Sequence, residues 1–136
     1  MRQLIISLGC GILLAACQTS PRQTGGAVLN ADEVARLFVG NTVESYNLNT
    51  RYTSFTYYHP NGQLLQERLW ARRTGTWTIQ DDGKICLSFR KTQLKCRNIV
   101  RQGPRHYKIL PDESGKPVKI VRYRYFAEGN ALAAGR

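Results

Sequence analysis

Thr74-Gly75-Thr76-Trp77-Thr78-Ile79, Asp81-Asp82-Gly83, Lys84-Ile85-Cys86-Leu87-Ser88-Phe89 and Leu94-Lys95-Cys96-Arg97-Asn98-Ile99-Val100 decide the fold. Only Gln80 and residues 90–93 lie between them. Apolar and polar residues alternate, as they do in strands buried on one face. Asp81-Asp82-Gly83 suits a three-residue hairpin loop with Gly83 in the left-handed region, where a side chain would clash. That loop sets Gln80 opposite Lys84, Ile79 opposite Ile85 and Trp77 opposite Leu87. A register slipped by one residue would put Trp77 opposite Cys86 and lose the apolar match, so the first register is expected. Across the next turn, near Arg90-Lys91-Thr92, Cys86 and Cys96 fall directly opposite one another. Opposed strand residues lie close enough to be bridged. A loop of about 11 residues gives a disulfide worth roughly 2.7 kcal/mol in chain entropy.

The same turn logic extends outward. Pro60-Asn61-Gly62 is a second three-residue loop that ends in glycine. It sets His59 opposite Gln63, Tyr57 opposite Leu65, Phe55 opposite Glu67 and Thr53 opposite Leu69. Strands are expected at Thr42 to Tyr46, Tyr52 to Tyr58, Gln63 to Trp70, Thr74 to Ile79, Lys84 to Phe89, Leu94 to Val100, His106 to Leu110 and within Pro117 to Phe126. Ahead of them, Asn30 can cap a helix, with Glu33 placed for a capping box. Leu29 and Val34 occupy the staple positions, Val34, Leu37 and Phe38 share a face, and Gly40 can end the helix. The expected fold is mainly β. About eight antiparallel strands form an up-and-down meander or a small lipocalin-like barrel, closed or nearly so, with one short N-terminal amphipathic helix. An open, strongly curved sheet packed on that helix is the alternative.

The start of the chain carries an address. Met1-Arg2-Gln3 precedes an apolar run, Leu4 to Leu14, and then Ala15-Ala16-Cys17. A positive charge, a short apolar stretch and a small-residue site make a secretory signal, too short to span a membrane in a mature protein. Leu14-Ala15-Ala16-Cys17 resembles the lipobox of bacterial lipoproteins. The resemblance implies cleavage before Cys17, lipid on its sulfur, and stable anchoring by several acyl chains. Gln18, in place of an aspartate, implies the outer membrane, with the domain facing the periplasm. The organisation expected is a signal peptide at 1–16, a lipidated cysteine and flexible tether at 17–28, one β-barrel-like domain at 29–126 and a disordered tail at 127–136. Cys10 would leave with the signal, so Cys86 and Cys96 remain to pair in an oxidising compartment.

A second resemblance rests on Ala31-Asp32-Glu33-Val34, Gly40-Asn41-Thr42-Val43, Tyr57-Tyr58-His59-Pro60-Asn61-Gly62, Gly75-Thr76-Trp77 and the Cys86/Cys96 pair, in that order. In this the chain is similar to a family of small exported alphaproteobacterial proteins with a domain of unknown function. The resemblance implies a small exported β domain and supplies no activity.

The chain carries 20 Lys+Arg against 9 Asp+Glu, a formal charge of +11. Only Arg2 would be lost with the signal. Such a charge draws a protein to anionic surfaces. An envelope address argues against nucleic acid as partner. The basic residues singled out for anion binding are Arg68, Arg72 and Arg73 around Trp70, Lys95 and Arg97 (with Arg90 and Lys91) in the disulfide hairpin, and Arg122 and Arg124 in Arg122-Tyr123-Arg124-Tyr125. On a regular strand Arg122 and Arg124 would share one face, and Tyr123 and Tyr125 the other.

No catalytic set emerges. His59 reads as a turn residue and His106 as a strand residue, without metal-ligand spacing. Asp81-Asp82 and Asp112-Glu113 sit in turns, where acids cap backbone groups. No catalytic residue, metal or cofactor is expected. The reading is a non-enzymatic, lipid-anchored envelope module, held at the membrane by its anchor and meeting an anionic envelope component or a periplasmic protein. The alternatives are an inhibitor of a protease or lysozyme, and a carrier of a small apolar ligand with Trp70, Trp77 and tyrosines lining its cavity.

Overall fold

The computed structural model describes residues 26–89 and 93–132. Leu14-Ala15-Ala16-Cys17, which resembles a lipobox, the preceding apolar run, Arg90 and Lys91, and residues 133–136 lie outside them. The described chain is one helix and one antiparallel sheet of ten strands. In chain order these are β1 (Ala27–Val28), α1 (Ala31–Phe38), β2 (Asn41–Asn47), β3 (Thr53–Tyr58), β4 (Gln63–Arg68), β5 (Ala71–Ile79), β6 (Ile85–Phe89), β7 (Lys95–Arg97), β8 (Ile99–Gln102), β9 (Arg105–Pro111) and β10 (Pro117–Glu128). The sheet order is β1-β8-β9-β10-β2-β3-β4-β5-β6-β7. The mainly β, meander-like fold with one helix is therefore the one expected, curled into a half-barrel.

Topology explains the curl. β7 and β8 sit near opposite ends of the strand order, yet Asn98 alone joins them. In a flat sheet the two strands would be roughly 38 Å apart at about 4.8 Å per strand. Two peptide units reach only about 7 Å. The sheet must curl until its edges nearly meet, and the Asn98 carbonyl then accepts the Ile109 N–H at 3.1 Å.

The anticipated registers hold where turns set them. Ile79 pairs with Ile85, Trp77 with Leu87, and Cys86 with Cys96. The two sulfurs are 2.06 Å apart, a disulfide. Tyr57 pairs with Leu65 and Phe55 with Glu67. Gly62 and Gly83 take φ +89° and +83°. At Gly83 a Cβ would also come within 2.4 Å of the Leu29 carbonyl, so this turn needs glycine twice over. The 112–116 turn repeats the pattern, with Gly115 at φ +82°.

Four expectations are corrected. The third strand ends at Arg68, so Thr53 has no partner at Leu69; Leu69 and Trp70 form the two-residue turn instead, and β5 begins at Ala71. The strand expected at Leu94 to Val100 breaks at Asn98, where the chain changes edges. Ala27 and Val28, assigned to the tether, pair with Arg101 and Val100. Ala127 to Leu132, assigned to a disordered tail, is ordered. The Thr42 hydroxyl donates to the Gly129 carbonyl at 2.7 Å and accepts the Ala131 N–H at 2.9 Å, and Leu132 is buried.

The helix closes one end of the half-barrel. Asn30 and Glu33 form the capping box, each accepting the other's backbone N–H at 2.9 Å, an arrangement worth about 1 kcal/mol. Val34 and Phe38 are fully buried. Phe38 meets Tyr58, Tyr123 and Phe126 edge-on at 5.0, 5.1 and 5.7 Å. Leu29, Val43, Leu64, Trp77, Ile85 and Ile99 complete this core.

Removing the disulfide by Cys86→Ala with Cys96→Ala should lower unfolding free energy by about 2–3 kcal/mol, read from urea midpoints. Equal midpoints for the variant and the parent chain would show that the hairpin is held without it.

Candidate functional site

Strand alternation sorts the inner side chains into two zones. Near the helix they are apolar. Toward the other end, where the β2–β3, β4–β5 and β6–β7 turns lie, they become polar and cationic. There the concave face encloses a cavity of about 430 Å³. Arg68, Arg73, Lys95, Arg97 and Lys108 line it, over a floor that includes Tyr58, Leu87, Phe89, Val121 and Tyr123. No Asp or Glu lines it among the described residues.

One wall is a hydrogen-bonded relay. Arg73 donates through Nε and Nη2 to Gln66 Oε1 at 2.8 and 2.6 Å, and its guanidinium lies 3.8 Å from the Phe89 ring centre. Gln66 Nε2 donates to the Thr56 hydroxyl at 2.8 Å. Such a chain fixes the guanidinium before any ligand arrives. Arg68 leans over the Tyr52 ring at 5.4 Å, and Arg97 donates to the Cys96 carbonyl at 2.8 Å.

Two groups in the cavity are electrostatically unusual. Lys108 is half-buried in the wall. Desolvation, and then the Arg97 guanidinium, push its ammonium down from 10.5 to about 8. Tyr123 is 4 % exposed, its hydroxyl has no hydrogen-bond partner among the described residues, and burial pushes its pKa up. A buried hydroxyl without a partner is uncommon in folded proteins. Here it belongs to a wall otherwise furnished with cations. The Tyr58 phenol is likewise pushed up by burial, so both phenols stay neutral donors.

The anticipated basic residues divide between two faces. Arg68, Arg73, Lys95 and Arg97 meet in the cavity. Arg72 pairs with Glu67 and donates to the Leu132 carbonyl at 3.1 Å. Arg124 pairs with Glu44, donates to the Thr53 hydroxyl at 2.7 Å and lies 4.8 Å from the Tyr46 ring centre. Arg122 stands opposite Tyr46 and Tyr107 in the ladder. These three lie on the convex face, away from the cavity. A bulge between Tyr123 and Tyr125 breaks the alternation expected there. It leaves Tyr123 inside and Tyr125 59 % exposed. Lys108 is the cavity residue that sequence reading missed. It stood two places beyond His106 on an expected strand, and only the curl brings it beside Arg97.

Other anticipated groups have local roles. His59 Nδ1 accepts the Asn61 N–H at 3.1 Å, and its carbonyl accepts Trp77 Nε1–H at 2.9 Å. His106 packs edge-on against Phe126. The Lys84 ammonium and then the Lys84 N–H hold the Asp82 carboxyl below the usual range, and the Ser114 hydroxyl followed by N–H groups of its own turn do the same for Asp112. Neither tryptophan lines the cavity: Trp77 is in the core and Trp70 is 98 % exposed. No group of three or more potential metal ligands occurs among the described residues.

No family model and no curated protein matches this sequence.

Lys108 makes stability pH-dependent. Below about pH 8 it is charged in folded and unfolded chains, and its desolvation cost is fully present. Between about 8 and 10.5 the folded chain has lost a proton that the unfolded chain keeps, so stability rises with pH. Lys108→Met should flatten that rise in urea titrations from pH 7.5 to 10.5. An unchanged slope would show that Lys108 titrates normally.

Proposed function

We propose that the chain is a non-enzymatic binding module of the bacterial cell envelope, carried on a lipid at Cys17, whose concave cavity holds an anionic envelope component. The observation that carries this reading is the cavity itself. Arg68, Arg73, Lys95, Arg97 and Lys108 line one concave space, and among the described residues no carboxylate lines it. Depressing Lys108 to about 8 corresponds to about 3 kcal/mol of strain against its charge. A bound anion would relieve it. Enclosure matters as well: ion pairs on an open surface contribute little and are screened by salt, whereas a walled site keeps more of the attraction. The lipobox supplies the address and the +11 charge the sign of the partner.

Inhibition of an enzyme and carriage of an apolar ligand find less support. Five cations around the cavity suit a purely apolar occupant poorly, since closing over them would desolvate charge without compensation.

The test uses the Cys17→Ser chain as bait in an envelope extract across a salt series. Arg68→Gln with Lys95→Gln and Arg97→Gln should lose the retained anionic material at least tenfold. Arg72→Gln with Arg122→Gln and Arg124→Gln removes the same charge from the convex face and should retain it. Equal loss in both triple variants would mean that net charge, not the cavity, does the binding. In cells, the Cys17→Ser chain exported behind an ordinary cleavable signal in place of residues 1–16 should leave the membrane fraction at high salt.

A further inference from the structure

The cavity's mouth has an apolar rim. Trp70 is 98 % exposed, Leu69 56 %, Leu94 49 % and Tyr52 43 %. All four belong to the turns at the open end: Tyr52 between β2 and β3, Leu69 and Trp70 between β4 and β5, and Leu94 between β6 and β7. A folded domain that leaves a tryptophan and a leucine side by side in solvent holds contact surface in reserve. Leu69 also takes φ +55°, a conformation that side-chain-bearing residues seldom adopt.

Cations flank this tip. Arg68 directly precedes Leu69-Trp70, and exposed Arg51 precedes Tyr52; Arg72, on the far side of the turn, is engaged by Glu67. No acid occurs in 48–52, 68–73 or 93–97. The acids of the β9–β10 turn are Asp112 and Glu113, and the Asp112 carboxylate is engaged by N–H groups of its own loop. Tryptophan at a tip between arginines matches one kind of surface: the headgroup region of a bilayer. Indole rings settle at that depth, and guanidinium groups pair with phosphate. A protein groove would have to offer both an aromatic pocket and a ring of acids around it. An anionic membrane offers both properties everywhere.

We propose that this rim docks on an anionic lipid bilayer, with Leu69 and Trp70 entering the interface and Arg51 and Arg68 meeting lipid phosphates. The contact is separate from any lipid on Cys17 and turns the cavity mouth toward the headgroups. It stands independently of what the cavity holds.

The test uses the full chain with Cys17→Ser and vesicles of phosphatidylglycerol mixed with phosphatidylcholine, or of phosphatidylcholine alone. Trp77 is buried and gives a constant background, so spectral changes report Trp70. Anionic vesicles should shift the emission to shorter wavelength, and shallow brominated lipid should quench it. Leu69→Ser with Trp70→Ser should weaken vesicle binding about tenfold without changing the thermal midpoint, because neither side chain belongs to the core. The apolar run 4–14 is present in both chains, so the difference between them belongs to the hairpin. Emission unchanged by anionic vesicles, or equal binding by the double variant, would overturn the proposal. So would capture of an envelope protein through Trp70 with no spectral response to lipid. Cavity binding is read separately with soluble glycerol phosphate, so either reading can fail alone.

Discussion

One residue, Asn98, joins the edge strand β7 to β8, which lies next to the opposite edge, and that short link imposes the curl. Strands β7 and β8 are consecutive in sequence but near opposite ends of the ladder. No flat arrangement of the strands satisfies that connection. Curling in turn creates an inside, and the inside is where the helix, the disulfide hairpin and the cavity acquire their meaning. The Cys86–Cys96 bridge sits on the edge hairpin next to the link. It holds the edge that would otherwise have the fewest neighbours.

The interior is divided along its length. At one end α1 contributes Val34 and Phe38 to an aromatic and aliphatic core. At the other the same strands present arginine and lysine. Two strands show the change directly: β4 runs from Leu64 through Gln66 to Arg68, and β5 back from Arg73 through Gly75 to Trp77. Stability resides at the helix end, and the open end sacrifices some of it. Grouping cations in a partly dry space without acids is unfavourable for the isolated chain. Lys108 registers that cost in its depressed pKa. The convex face has the opposite arrangement, with Arg72 and Arg124 neutralised by Glu67 and Glu44. Acids meet Arg72 and Arg124 outside, whereas among the described residues no acid lines the cavity.

Much of this was legible in the sequence wherever local chemistry decides. Glycine-ended loops fixed the β3–β4 and β5–β6 registers, the cap residues fixed the helix, and opposition across a hairpin fixed the cysteine pair. Where structure depends on distant partners, local reading failed. Leu69-Trp70 carries no glycine or asparagine to mark a turn, so the strand was read through it. Asn98 breaks a strand only because the sheet changes edges there. The Tyr123–Tyr125 bulge reverses the expected inside and outside of a tyrosine. Ala127 to Leu132 looks featureless but is tied down by Thr42, far away in sequence. The candidate site was half legible: basic residues were identifiable by type, but which of them converge follows from strand parity plus the curl. Lys108 had neither a basic neighbour nor a motif to single it out.

The central claim is that the cavity, rather than basic charge in general, receives the anion. Amide chemical-shift mapping on the isotope-labelled Cys17→Ser chain, titrated with glycerol phosphate, tests it most directly. The account predicts saturable shifts at Gln66, Arg73, Arg97, Lys108 and Tyr123, lining one wall after another of the same cavity. Shifts concentrated at Arg72, Arg122 and Arg124, or spread evenly over basic residues on both faces, would contradict it.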